Sequence, residues 1–156
     1  KTPYKAFLFC TETSEALLET IRSRCVEWKL RGSGEVALSG RALELCRVLA
    51  GGSAFEAAAH LAKLESRRLT REQLQELLEQ VWYVTVQAMK PAALRPVEES
   101  CAEAARAMRK ALGQKRLAQL AQLLRRYAGE CRFNVGVGHV LGALAASCEQ
   151  IFPPVR

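Results

Sequence analysis

Thr70 is followed three positions later by Gln73, and from Leu74 apolar residues return at Leu77, Leu78, Val81, Trp82 and Met89. A hydroxyl at the N-cap with an amide at the third helical position is the reciprocal pair that opens a helix. The i, i+3, i+4 recurrence behind it lays one apolar stripe along that helix. Pro91 and Pro96 then break the chain into a loop. A helix with a single apolar stripe must bury it against other elements, so this segment commits the chain to helix-on-helix packing.

The rest of the sequence supplies the partners. Residues 41 to 50 predict one helix, stopped by Gly51-Gly52, and Ser53 is a suitable N-cap for another through about Glu65. A helix over about 97–112 carries Cys101, Ala104, Ala105, Met108 and Leu112 on one face and ends at Gly113. The next, over about 114–128, points Leu117, Leu120, Leu124 and Tyr127 inward and ends at Gly129. The last begins near Asn134 as N-cap, runs through Val137, Val140, Leu141, Leu144, Cys148 and Ile151, and stops before Pro153-Pro154. Those that begin near Thr70, residues 97 and 114, and Asn134 are four amphipathic helices joined by short connections, which predict a bundle. Their unequal spacing is not that of a solenoid.

The N-terminal part reads differently. Ala6 to Cys10 is short, apolar and aromatic-rich, which predicts a buried strand. Thr11-Glu12-Thr13-Ser14 is rich in capping side chains, with Thr13 or Ser14 as N-cap of a short helix through Glu15–Leu18. Val26, Trp28 and Leu30 alternate as a second short strand would, and Arg31-Gly32-Ser33-Gly34 is a turn or linker. A strand at 6–10 without a long strand downstream to pair with suggests the tail of a larger α/β domain, a short N-terminal ribbon being the alternative. The expected fold class is mostly α, with an α/β remnant at the N-terminus.

No apolar run approaches the roughly 20 residues that span a bilayer, and no signal peptide is recognised. The six cysteines are spread widely with no CxxC pair, which reads as reduced structural thiols of a cytoplasmic protein rather than a metal site or a disulfide framework. The net charge of +7 gathers in clusters at Arg67-Arg68-Arg71, Arg106-Arg109-Lys110, Lys115-Arg116 and Arg125-Arg126. Such a balance favours anionic partners, whereas each cluster alone reads as a solvated helix face. There is no Walker A loop, HExxH, GxSxG or GxGxxG. His60 on an alanine-rich helix and His139 on a core-facing one read as structural, and no intrinsic catalysis is expected.

The run Phe7 to Cys25, FLFCTETSEALLETIRSRC, has more specific content. It resembles the end of the ATPase core in clamp-loader proteins of the AAA+ superfamily: a buried strand ending in a polar sensor residue, a Leu-Leu-x-Thr-Ile helix, then Ser-Arg-Cys. Leu17 to Cys25 match this closely, with Glu19 where proline is usual. Leu49 to Ser53 resembles the glycine turn of the family's lid, Leu64 to Leu74 the entry to its collar, and Asn134-Val135 with the final leucine-rich helix the collar's end. The resemblance implies an AAA+ core remnant over 1–31, a shortened helical lid over 32–66 and a collar over 67–156. It implies Arg24, within Ser23-Arg24-Cys25, as an arginine finger acting on ATP held by a neighbouring subunit, with Arg22 as rival and Thr11 at the sensor position. Expected partners are other loader subunits, with the sliding clamp and primer-template DNA met through the complex. No cofactor or metal is expected in this chain, and exposed collar surface could let it self-associate. The lid sequence between Leu30 and Arg41 is shorter than in ATPases of the family, and Gly52 to Glu56 lacks their sensor arginine. Both departures favour a non-hydrolysing subunit over an ATPase subunit. A stand-alone basic helical module that binds nucleic acid is the reading from another class.

Overall fold

The computed structural model describes residues 11, 17–26, 37–91, 99–133 and 135–152. It is mostly helical, and no strand occurs among the described residues. The elements are α1 (Glu19–Arg22), α2 (Gly40–Ala50), α3 (Ala54–Ser66), α4 (Arg71–Met89), α5 (Glu99–Glu130) and α6 (Val137–Ile151). Contacts divide the chain into two units, residues 1–34 and 35–156, which are described separately.

In the first unit the expected strand over 6–10 and the caps Thr13 and Ser14 lie outside the described residues, as do Trp28 and Leu30. Val26 belongs to no strand. Of the short helix expected over Glu15–Leu18, Glu15 and Ala16 lie outside the described residues, and Leu17 and Leu18 are not helical; the described helix is α1. It begins at Glu19, with Leu18 at the N-cap and no side-chain cap bond.

The second unit is built on local signals that the sequence carries openly. Thr70 N–H donates to Gln73 Oε1 at 3.0 Å and Gln73 N–H donates to Thr70 Oγ1 at 3.2 Å, closing the capping box that opens α4. Ser39 and Ser53 cap α2 and α3, their side chains accepting from Ala42 N–H and Glu56 N–H. Gly52, at φ 71, makes the left-handed step between these two helices.

α4 lies along α5, α3 packs on α6, and α2 bridges α4 and α5. Leu45, Leu61, Leu78, Met108, Leu124 and Leu141 meet in one core to which every helix of the unit contributes. The segments on either side of residue 66 therefore share that core.

α5 is two helices joined across a kink. Gly113 has φ 68 and ψ 168 and separates a first half ending at Leu112 from a second beginning at Gln114. Gly129 is no stop: the helix runs on through it to Glu130. Nothing at Gly129 requires a left-handed backbone, and Cys131 N–H still bonds to Tyr127 C=O at 3.2 Å. α6 has Gly136 at its N-cap with no side-chain cap bond, and Asn134, the expected cap, lies outside the described residues.

Candidate functional site

α1 is a single turn that hands the chain directly to Ser23-Arg24-Cys25. Ser23 N–H donates to Glu19 C=O at 2.9 Å, Arg24 N–H to Ile21 C=O at 3.1 Å and Cys25 N–H to Arg22 C=O at 3.2 Å. Side chains then satisfy the last carbonyls of the turn. Ser23 Oγ donates to Thr20 C=O at 3.3 Å, and Arg24 Nη1 donates to the same oxygen at 2.7 Å.

Arg24 is thus anchored at one corner of its guanidinium and exposed over the rest. Guanidinium offers five N–H donors in a fixed fork, so this contact leaves most of the fork without a protein acceptor. No carboxylate pairs with Arg24 among the described residues. Arg22, the rival cation, is also exposed and lies in the last turn of α1. Cys25 is a free, exposed thiol, and Thr11 at the sensor-like position is exposed.

Two apolar side chains bracket the motif. Leu18 is 71% exposed and Val26 is 86% exposed. The sequence reading placed Leu18 in the short helix and Val26 in an alternating strand, so neither stood out as surface. What marks them is tertiary: a large apolar side chain in water beside an unpaired cation.

The other sequence candidates resolve into structure. His60 is half-buried, with Nδ1 3.8 Å from Glu44 Oε1 and its buried Nε2 lacking a hydrogen-bond partner among the described residues. His139, on the core-facing helix α6, is itself exposed and lies against Gly136. None of the five described cysteines forms a disulfide. Burial pushes the Cys46 thiol up to about 12, with the charge of Cys101 adding to it, and burial alone pushes Cys148 up to about 11. Such thiols are poor nucleophiles. Among the described residues no group of three or more His, Cys, Asp or Glu side chains could hold a metal ion.

A cleft of about 560 Å³ lies between the start of α2 and α4, lined by Ser39, Arg41, Glu44, Gln73, Glu76 and Gln80 among others. Its central polar groups are already spent on one another. Gln80 Oε1 accepts from Ser39 N–H at 3.0 Å and from Ser39 Oγ at 2.7 Å, while Gln80 Nε2 donates to Glu76 at 3.2 Å. Those bonds tie α2 to α4.

Among the described residues no helix is long and apolar enough to cross a membrane. Ser23-Arg24-Cys25, presented at the end of a one-turn helix between two exposed apolar residues, is the arrangement best suited to act on something outside the chain. The chain matches no protein-family model, no curated protein and no solved structure.

Proposed function

We propose that this chain is part of a non-hydrolysing clamp-loader subunit of the delta-prime type, from the bacterial DNA polymerase III holoenzyme, and that Arg24 completes the ATP site of a neighbouring subunit. The observation that carries the reading is the exposed, largely unsatisfied guanidinium of Arg24 in the run Leu17 to Cys25, which resembles the end of an AAA+ core. A planar guanidinium can pair with two oxygens of a phosphoryl group and offset the charge spread over it during transfer. It needs no base or metal of its own chain. Leu18 and Val26 give the motif an apolar border of the kind that a subunit interface covers. In this reading the helices beyond residue 66 form a collar that assembles with delta and gamma/tau subunits, and the complex as a whole meets the sliding clamp and primer-template DNA. An ATPase subunit of the gamma/tau type fits less well, because Gly52 to Glu56 holds a glycine turn and a serine cap where such a subunit has an arginine.

The test is a loader reconstituted from full-length subunits with Arg24→Ala. Clamp- and DNA-dependent ATP turnover is expected to fall by at least about tenfold, toward the range that arginine fingers contribute elsewhere, with assembly unchanged on size exclusion. Arg24→Lys should not restore it, since a point charge cannot reproduce the fork. Turnover equal to wild type in both variants would refute the assignment.

A further inference from the structure

From Ala104 to Gly129 the sequence contains no carboxylate, and its arginines and lysines equal the +7 net charge of the whole chain. The stretch spans most of α5, and the structure divides its cations by task. Arg109 turns inward and donates to the last carbonyls of α4. Arg125 lies over the Trp82 ring, 5.7 Å from its centroid. Arg106 and Arg126 pair with Glu99 and Glu130 at the two ends of the helix, at 3.6 and 2.9 Å.

Lys110, Lys115 and Arg116 have no such task. All three are exposed, and none has a carboxylate within ion-pair distance among the described residues. They flank Gly113, where the helix breaks and restarts. Lys115 and Arg116 stand in the first turn of the restarted helix, the end where the backbone dipole already presents positive charge. Their position works against folding, so helix stability does not explain it.

Beyond the break, Lys115, Gln119, Gln122 and Arg126 recur at i, i+4, i+7 and i+11 and are all exposed. They form one outward stripe about 16 Å long, at 1.5 Å of rise per residue. It offers cations and neutral amide donors and no acceptor charge before Glu130. Phe55 and Phe133, the exposed large hydrophobics of this unit among the described residues, belong to α3 and to the segment after α5 and not to this stripe. A protein interface would want an apolar centre there. Single-stranded nucleic acid would want aromatic stacking platforms. Neither is present.

We infer that this face of α5, from Lys110 through Arg126, is a docking surface for the phosphate backbone of duplex nucleic acid, read without regard to sequence. It goes beyond the proposed function of Arg24, involves a different unit of the chain, and requires no other subunit. The amides of Gln119 and Gln122 donate to phosphate oxygens between the cations, as uncharged donors do in backbone contacts.

The experiment uses the whole chain and a fluorescein-labelled, random-sequence 30-base-pair DNA duplex, followed by anisotropy over a KCl series. Three neutralised phosphates give a dependence of log K on log[salt] with a slope near −3. The variant Lys110→Gln/Lys115→Gln/Arg116→Gln is expected to bind at least about tenfold more weakly at 50 mM KCl and to flatten the slope by about 3. A comparator that removes the same charge elsewhere, Arg41→Gln/Arg47→Gln/Lys63→Gln, should lose less than about threefold, and circular dichroism checks that both variants fold. Equal losses in the two variants would mean that net charge alone drives binding, and would overturn the inference. So would absence of duplex binding by the wild type at 50 mM KCl, or displacement by polyglutamate as effectively as by unlabelled duplex. None of these outcomes bears on Arg24, which the loader assay tests separately.

Discussion

Arg109→Met removes a guanidinium while keeping a straight side chain of similar reach. In the native structure Arg109 Nε donates to Ala88 C=O at 2.7 Å and Nη2 to Gln87 C=O at 3.4 Å, with a further bond to Lys90 C=O. These oxygens lie at the C-terminal end of α4, where carbonyls have no i+4 helical N–H to accept from, although Gln87 C=O also accepts from Lys90 N–H at 3.2 Å. Ala88 and Gln87 are buried, at 0% and 7% exposure, so water cannot fully replace the lost donors. A hydrogen bond from a charged group contributes about 1.5–3 kcal/mol. A cation at a helix C-terminus adds about 0.3–1 kcal/mol. Lys90 is exposed and its carbonyl rehydrates, and the 3.4 Å bond goes to Gln87 C=O, which keeps Lys90 N–H, so both are discounted and the bond to Ala88 C=O is counted alone. The expected loss is about 2–4 kcal/mol, measured as a lower midpoint at unchanged slope in urea denaturation followed by far-UV circular dichroism. Arg109→Lys should recover less than half, because one ammonium cannot span the carbonyls that the fork spans. Gln114→Ala, which removes the exposed 3.1 Å bond to Met89 C=O, should cost no more than about 1 kcal/mol. If Arg109→Met costs less than Gln114→Ala, the guanidinium does not clamp α4 and the reasoning fails.

Two further predictions separate groups that look alike in sequence. Gly113→Ala should destabilise by about 1–3 kcal/mol in the same assay, because φ 68 with ψ 168 is a conformation nearly confined to glycine; Gly129→Ala, inside the helix with open space for a methyl group, should stabilise by about 0.5–1 kcal/mol. Cys46 is protonated in the fold up to about pH 12 but loses its proton near pH 9 when unfolded, so the native state holds more protons in that window and stability must fall as pH rises through it. The expected slope is about 1.4 kcal/mol per pH unit from this thiol, read as the difference between wild type and Cys46→Ala, and an identical pH dependence in the two proteins would refute it.

The sequence states the second unit's helices well because their signals are local. Thr70 and Gln73 find each other within one turn, and Ser53 caps the helix it precedes, whatever the remainder of the chain does. Misreadings arise where a neighbouring helix decides the matter. Gly129 has the composition of a stop, yet Tyr127 and Ala128 beside it are buried and the helix continues. Trp82 fits the apolar stripe of α4 but is only half-buried, with Arg125 of α5 over its ring. The candidate finger divides in the same way. Ser23-Arg24-Cys25 is legible as a motif, while the exposure of Leu18 and Val26 on either side depends on packing that no short window of sequence encodes.

Arg109 carries the same lesson into the charge pattern. In sequence it belongs to the Arg106-Arg109-Lys110 cluster and would be counted as basic surface. Within the fold these neighbours have three different roles: Arg106 answers Glu99, Arg109 seals the end of α4, and Lys110 faces solvent without a carboxylate beside it. A charge run therefore says little until each cation has been assigned its partner. Once that is done along α5, the remainder is small and concentrated: Lys110, Lys115 and Arg116 around Gly113, continued by the outward stripe to Arg126. Burial explains the inner face of that helix, and capping explains Arg109. Lys110, Lys115 and Arg116 hold no ion pair among the described residues, and Lys115 and Arg116 sit where the helix dipole opposes them, so the proposed reason for their placement is an anion outside the chain.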